Sequence, residues 1–128
     1  MVLEAETVGF GGSGRNVGLL NAGLWLAPDE VVAALGADQR DRLLSLLGDA
    51  PALVRDLVAR HGIDCELTTT GTLHCGVGRA GLADLQARTS QWQARGAPVR
   101  LLAPAATAAL TGSPSFTGAL LDRRAGTI

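Results

Sequence analysis

The 128-residue sequence predicts a mixed α/β fold on three observations. Apolar residues recur every three or four positions from Leu43 to Val58, as they do along one side of a helix. Residues 63–77 are instead threonine-rich and partly alternate between apolar and polar side chains, as strands do. A glycine-rich stretch follows the apolar N-terminus, which is typical of a strand that runs into a loop. A chain of this length forms one domain and buries roughly two thirds of its unfolded surface.

The first elements follow from local signals. Residues 1–4 are predicted to form a strand that leads into the glycine-rich loop. The apolar stretch from Val17 to Leu26 fits either a short buried helix or a buried strand, and its periodicity does not separate the two. Proline followed by two acidic residues predicts a helix that starts at Pro28 and ends at Gly36.

A longer helix is predicted from Asp38 to a C-terminal cap at Gly62, which two cationic residues precede. Pro51 either starts a second helix or lies inside one helix as a kink. A β-hairpin is predicted next, with arms at 63–68 and 71–77. The remaining predicted elements are helix 81–95, strand 98–102, helix 103–110, strand 116–122 and a further strand from residue 125.

Composition excludes several classes of protein. With 47% hydrophobic residues and a formal net charge of −1, the chain is not intrinsically disordered. It has no basic excess and just two tryptophans and two phenylalanines, so we expect no nucleic-acid partner. The apolar stretch 19–27 contains Asn21 and is shorter than the ~20 residues that span a bilayer. Glu4 and Glu6 replace the positive charges of a secretory signal, and we expect a cytoplasmic protein with free thiols.

Residues 9–14 match the pattern G-x-G-x-x-G, which two interpretations explain. In the first, this is the dinucleotide-binding loop itself, although Asp29 and Glu30 then lie at a helix start instead of the expected strand end. In the second, residues 1–4 are the second strand of such a domain. Glu4 is then the acid that binds ribose hydroxyls, and the true glycine fingerprint precedes this chain.

The residues Ser13-Gly14-Arg15-Asn16 fit the second interpretation. Backbone amides freed by glycine, one hydroxyl and one guanidinium together satisfy pyrophosphate oxygens or the polar edge of a flavin. A tight surface turn with a solvated arginine is the alternative.

The candidate metal ligands or nucleophiles are His61, Cys65, His74 and Cys75. Their spacing matches no zinc pattern, and adjacent residues of a strand point to opposite faces. We therefore expect packed thiols, no metal site and no assignable catalytic residue. Elsewhere, Trp92 is predicted to lie in the core, and a solvated turn is the favoured interpretation of residues 123–124.

The stretches 2–6 and 9–18 resemble the FAD-dependent oxidoreductases of the D-amino-acid oxidase family, and most of all its γ-glutamylputrescine oxidase-like branch. Further similarity lies in residues 60–65, 71–74 and 122–127. The resemblance implies FAD as cofactor, with Glu4 on the adenosine ribose and Ser13, Gly14, Arg15 and Asn16 along the pyrophosphate and the approach to the flavin ring. It implies hydride removal from a carbon that bears an amine, followed by imine hydrolysis, with a small amine or amino acid as substrate.

The resemblance also implies a division of the chain. Residues 1–27 are expected to be a partial Rossmann-type FAD-binding region that lacks the first strand and its GxGxxG loop. Residues 28–128 are expected to be a helical segment and the start of a β-rich substrate domain. We therefore expect a segment of a larger oxidoreductase that is inactive alone and binds FAD weakly or not at all. The alternative is a short, non-catalytic binding or partner module derived from a flavoprotein.

Overall fold

The computed structural model describes residues 3–23 and 26–128, and these form the predicted mixture of helices and strands. The helices are α1 (Pro28–Leu35), α2 (Ala37–His61), α3 (Gly78–Gln93) and α4 (Pro104–Thr111). The strands are β1 (Leu19–Leu20), β2 (Thr72–Gly76), β3 (Val99–Leu102), β4 (Gly118–Asp122) and β5 (Gly126–Thr127). A 3-10 turn spans Ser13–Arg15.

The larger sheet is antiparallel and has the order β2-β4-β3. Its central strand β4 is apolar except at its last residue and is buried along its whole length. Helix α3 packs on one face of the sheet, where Leu85 and Trp92 join Val99 and Leu120 in the hydrophobic core. Trp92 is 7% exposed, which confirms that it is a core residue.

A second, smaller ladder connects the two ends of the described chain. β1 pairs antiparallel with β5, so that Leu19 lies opposite Thr127. On the other side of β5, Thr68 and Thr127 exchange backbone hydrogen bonds of 2.9 and 3.2 Å. The segment that follows the glycine-rich loop is therefore held by the C-terminal strand.

Helix α2 runs without interruption through Pro51, which settles the alternative left open by the sequence. Proline has no N–H, so the carbonyl of Leu47, four residues earlier, loses its partner within the helix. The backbone N–H of Gly23 donates to that carbonyl at 3.2 Å. Pro51 thus lies buried inside the helix, and the Leu47 carbonyl that it leaves without a helical partner binds Gly23 of the N-terminal segment.

The predicted hairpin is wrong. β2 pairs with β4, more than forty residues further along the chain, and among the described residues 63–71 Thr68 alone forms a β-bridge. The reason is burial, because the apolar β4 offers β2 a full ladder inside the core whereas residues 63–68 are largely exposed. The helix end predicted just before the hairpin is confirmed, since Gly62 ends α2 in the left-handed conformation.

The N-terminal predictions need correction as well. Met1 and Val2 of the predicted first strand lie outside the described residues, and Leu3 and Glu4 belong to no strand. A lone strand has no hydrogen-bond partner in the described part of this chain. The apolar stretch 17–26 forms the two-residue strand β1, and Val17 is 78% exposed instead of buried. Leu24 and Trp25 of that stretch lie outside the described residues.

Candidate functional site

The glycine-rich loop closes on itself through its backbone. Gly9 has a positive φ of 81°, and a Cβ atom added at Gly14 would overlap the Gly9 carbonyl oxygen. The N–H of Phe10 donates to Thr7 at 2.9 Å, and that of Arg15 donates to Gly12 at 3.2 Å. Glycine is required where the two limbs of the loop meet, because a side chain there has no room.

The outer side of this loop faces open space. A Cβ atom at Gly11 or Gly12 would meet nothing within 4 Å, and within the described part of the chain their N–H groups donate to no backbone carbonyl. The Ser13 side chain is exposed, and the Arg15 guanidinium makes one long contact of 3.4 Å to the Phe10 carbonyl. Accessible amides, a hydroxyl and an exposed guanidinium are donors that suit diphosphate oxygens, so these residues fit the group.

Asn16 connects the loop to β1. Its Oδ1 accepts a hydrogen bond of 3.0 Å from the N–H of Gly18. An open cleft of about 390 Å³ lies beside it, lined by Ser13, Asn16, Gly18, Leu19, Leu20 and Ile128. The structure therefore brings two of the predicted cofactor residues, Ser13 and Asn16, to one cleft, whose lining does not include Gly14 or Arg15.

Glu4 lies apart from this cleft in the structure. Its carboxylate accepts hydrogen bonds from the N–H groups of Ala5 at 2.9 Å and Glu6 at 3.2 Å. The predicted strand is absent at residues 3–4, and the Glu4 carboxylate instead binds the backbone of the exposed turn that follows it.

The comparison with protein families agrees with the character of the loop. The model of the DAO family, described as FAD dependent oxidoreductase, matches residues 1–128. The chain belongs to this family. Its family and FAD, the family's cofactor, were both predicted correctly from the sequence.

Two known proteins are similar to this DAO-family chain. Gamma-glutamylputrescine oxidoreductase of Escherichia coli (strain K12) is 33% identical over 100% of this chain and 30% of its own length. The crystal structure of glycine oxidase from Geobacillus kaustophilus superimposes with a TM-score of 0.64 and 22% identity, over 92% of this chain and 30% of that one. The second match shows a shared fold. The chain thus spans about 30% of the length of these relatives.

The turn after β4 in this DAO-family chain differs from its prediction. Arg123 is exposed as expected, but Arg124 is largely buried and its guanidinium lies 4.9 Å from the centre of the Trp92 ring. Its Nη2 donates to Asp122 Oδ2 at 2.6 Å. The spacing of Asp122 and Arg124, two residues apart at a strand end, was the sequence signal for this pair, and it was missed.

The remaining candidates are dispersed. His61 is exposed, whereas His74 lies half-buried on β2, and both cysteines are free thiols. Burial, and then the positive charge of Arg88, lower the pKa of His74 below its usual value. Across residues 3–23 and 26–128, no three His, Cys, Asp or Glu side chains gather as metal ligands would. In the same ranges, no helix combines the length and apolar character needed to cross a membrane.

Proposed function

We propose that this chain contributes the flavin-facing loop of an FAD-dependent oxidoreductase that oxidises a C–N bond of a small amine or amino acid. The observation that carries the proposal is the outward-facing loop 9–16, with its accessible amides, in a chain of the DAO family. A γ-glutamylputrescine-like amine is the proposed substrate class, because the curated relative at 33% identity is named for that compound.

The proposed roles of the loop residues follow from their donors. Gly14 keeps the loop narrow, and Ser13 and Arg15 offer a hydroxyl and a guanidinium to diphosphate oxygens. Asn16 accepts a hydrogen bond from Gly18 and so fixes the direction in which β1 leaves the loop. Glu4 binds the adenosine ribose. When bound, FAD would supply the hydride acceptor, and the role of these residues would be to bind and orient it.

We further propose that residues 1–27 belong to the FAD-binding region and residues 28–128 to the start of the substrate domain. The chain alone is then inactive and holds FAD weakly or not at all. Stoichiometric flavin in the purified 128-residue protein would contradict this part. Reading the coding DNA in frame on both sides of the chain tests it independently, because an upstream strand with its own glycine fingerprint is expected.

The role of the loop is tested in the protein encoded by the whole reading frame. Arg15→Ala and Ser13→Ala are compared with the parent by titration with FAD, followed by flavin fluorescence. Loss of one charge-assisted contact is expected to weaken FAD binding by about tenfold, which corresponds to roughly 1.4 kcal/mol.

Arg79→Ala is the matched control, since Arg79 is an exposed arginine on α3 and lies outside the loop. It is expected to bind FAD like the parent. Parental affinity in both loop variants would refute the proposed contact, and equal weakening in the control would mean that net charge alone is responsible.

A further inference from the structure

Asp122 and Arg124 fix the turn between β4 and β5. Asp122 is buried at the end of the buried strand, and its side chain is 10% exposed. Its Oδ1 accepts hydrogen bonds from the backbone N–H and from Nε of Arg124, both at 3.0 Å, and its Oδ2 accepts one from Nη2 at 2.6 Å. A two-pronged, charge-assisted contact of this kind fixes direction as well as distance.

Two helices hold the same turn from outside. The Arg124 guanidinium stacks over Trp92 of α3, and Arg55 of α2 donates from Nη1 to the Arg124 carbonyl at 2.8 Å. Gly48 of α2 leaves the space that the guanidinium occupies, because a Cβ atom there would lie 3.2 Å from Nη1. We call Asp122, Arg124, Trp92 and Arg55 the turn cluster.

Strand β5, which follows the turn cluster, contacts the segment that carries the candidate site. Gly126 and Thr127 pair with β1, and the N–H of Ile128 donates to the Gly18 carbonyl at 2.8 Å. Gly18 is also the residue that Asn16 holds through its side chain. A Cβ atom at Gly18 would overlap the Ile128 carbonyl oxygen, so the two segments are in close backbone contact.

We propose that Arg124 is a positioning residue for the loop Ser13–Asn16, acting through the turn cluster and the β5·β1 pair. The proposal rests on the function proposed above, since that function gives the loop its role. Without Arg124 the buried Asp122 carboxylate loses its guanidinium partner, and a buried charge that has lost its partner is strongly destabilising. The turn then opens, β5 shifts, and β1 loses the partner that holds it.

The test compares Arg124→Met with the parent by amide hydrogen exchange of the purified protein. Met keeps the apolar stem over Trp92 and removes the charge and the donors. Peptides that cover residues 17–20 and 126–128 are expected to exchange at least about tenfold faster, because their ladder opens locally. Peptides from β2 and β3 are expected to exchange at the parental rate. Arg124→Lys, which retains the charge, is expected to restore part of the protection.

Leu102→Ala separates positioning from general stability. Leu102 is buried at the far end of the sheet, opposite Ala119, and its truncation destabilises the core without touching the turn. Denaturant is added so that it and Arg124→Met are compared at the same free energy of unfolding. If Leu102→Ala then releases β1 equally, or if Arg124→Met leaves β1 protected, the proposal is wrong.

The exchange experiment stands apart from the test of function. Arg15→Ala removes a proposed FAD contact and no contact of the β5·β1 ladder, so its exchange in residues 17–20 is expected to match the parent. Release of β1 in Arg124→Met together with parental FAD affinity in the loop variants would uphold the positioning and reject the cofactor role. The reverse pair of results would reject the positioning alone.

Discussion

The N-terminal segment (residues 3–23) and the sheet region (residues 72–127) are built in opposite ways. Every residue of β4 in the sheet region is buried, and helix α3 covers one face of the sheet. In the N-terminal segment Val8 is 97% exposed. The segment's described hydrogen bonds to the remainder of the chain include the β1·β5 pair, the bond from the Ile128 N–H to the Gly18 carbonyl and the bond from the Gly23 N–H to the Leu47 carbonyl of α2, which we call the Gly23 anchor. The sheet region thus packs into the hydrophobic core together with Val31 and Leu44 of the first two helices, whereas the segment that carries the candidate site is attached mainly through backbone hydrogen bonds.

The largest contrast is expected from matched truncations of apolar side chains. Leu120→Ala in the core is expected to lower the free energy of unfolding by about 2–5 kcal/mol, since it leaves a cavity. Val17→Ala in the N-terminal segment is expected to change it by less than about 0.5 kcal/mol, because the side chain is 78% exposed. Denaturant unfolding monitored by tryptophan fluorescence measures both. Equal losses would mean that the N-terminal segment is packed as tightly as the sheet.

A smaller effect is expected where β1 meets the chain end. Gly18 has a φ of 68°, and a Cβ atom there would overlap the Ile128 carbonyl oxygen, so Gly18→Ala is expected to cost about 1–3 kcal/mol and to separate β1 from β5. Gly62→Ala is the control, since its φ of 57° is similar but a Cβ atom would meet open space. Hydrogen exchange of residues 126–128 is expected to be faster in Gly18→Ala and unchanged in Gly62→Ala. Faster exchange in both variants would mean that backbone strain alone, and not the overlap with Ile128, separates the strands.

The Gly23 anchor can be weakened without touching Gly23. In Pro51→Ala the new N–H of residue 51 competes for the Leu47 carbonyl, so the Gly23 amide is expected to exchange several-fold faster while α2 remains helical. Pro104→Ala is the matched control, because Pro104 occupies the first position of α4, where no helical hydrogen bond is lost. An unchanged Gly23 amide in Pro51→Ala would show that the freed carbonyl is not what holds the segment.

The smallest expected effect is the pH dependence of stability that His74 of the sheet region causes. Burial of His74 lowers its pKa below the usual value of 6.5, so the unfolded chain binds a proton that the folded chain resists. Stability is therefore full above that value and declines as the pH falls through it toward the folded pKa. Thermal melts between about pH 8 and pH 5 measure the slope. His74→Gln is expected to flatten it and His61→Gln, at an exposed site, to retain it; equal slopes in all three would discount His74.

The helices were predictable because their signals are local. Pro28 and the acids after it mark the start of α1, and Gly62 marks the end of α2 within a few residues of the features that cause them. The hairpin failed because the partner of β2 is chosen by burial, and β4 lies far along the chain. The position of Pro51 was visible in the sequence, but the use of its free acceptor by Gly23 depends on the tertiary structure.

For the candidate site too, features caused by nearby residues were predictable and features that depend on the tertiary structure were not. The composition of residues 13–16 indicated diphosphate chemistry, because hydroxyl, guanidinium and accessible amides are properties of the residues themselves. The burial of Arg124 was not predictable, since it requires Trp92 and Gly48, which reach it from two different helices. The sequence alone thus predicted which residues donate to the cofactor, and that assignment stays a prediction, whereas the contacts of Arg124 were missed.

The pairing of β1 with β5 also sets an order of folding. Leu19 and Thr127 stand near opposite ends of the chain, so their contact closes a loop that contains almost every other element. Closing such a loop costs chain entropy that is recovered late, after local helices and the β2-β4-β3 sheet have formed. We therefore expect the segment that carries the candidate cofactor loop to take its place last, once β5 has been synthesised.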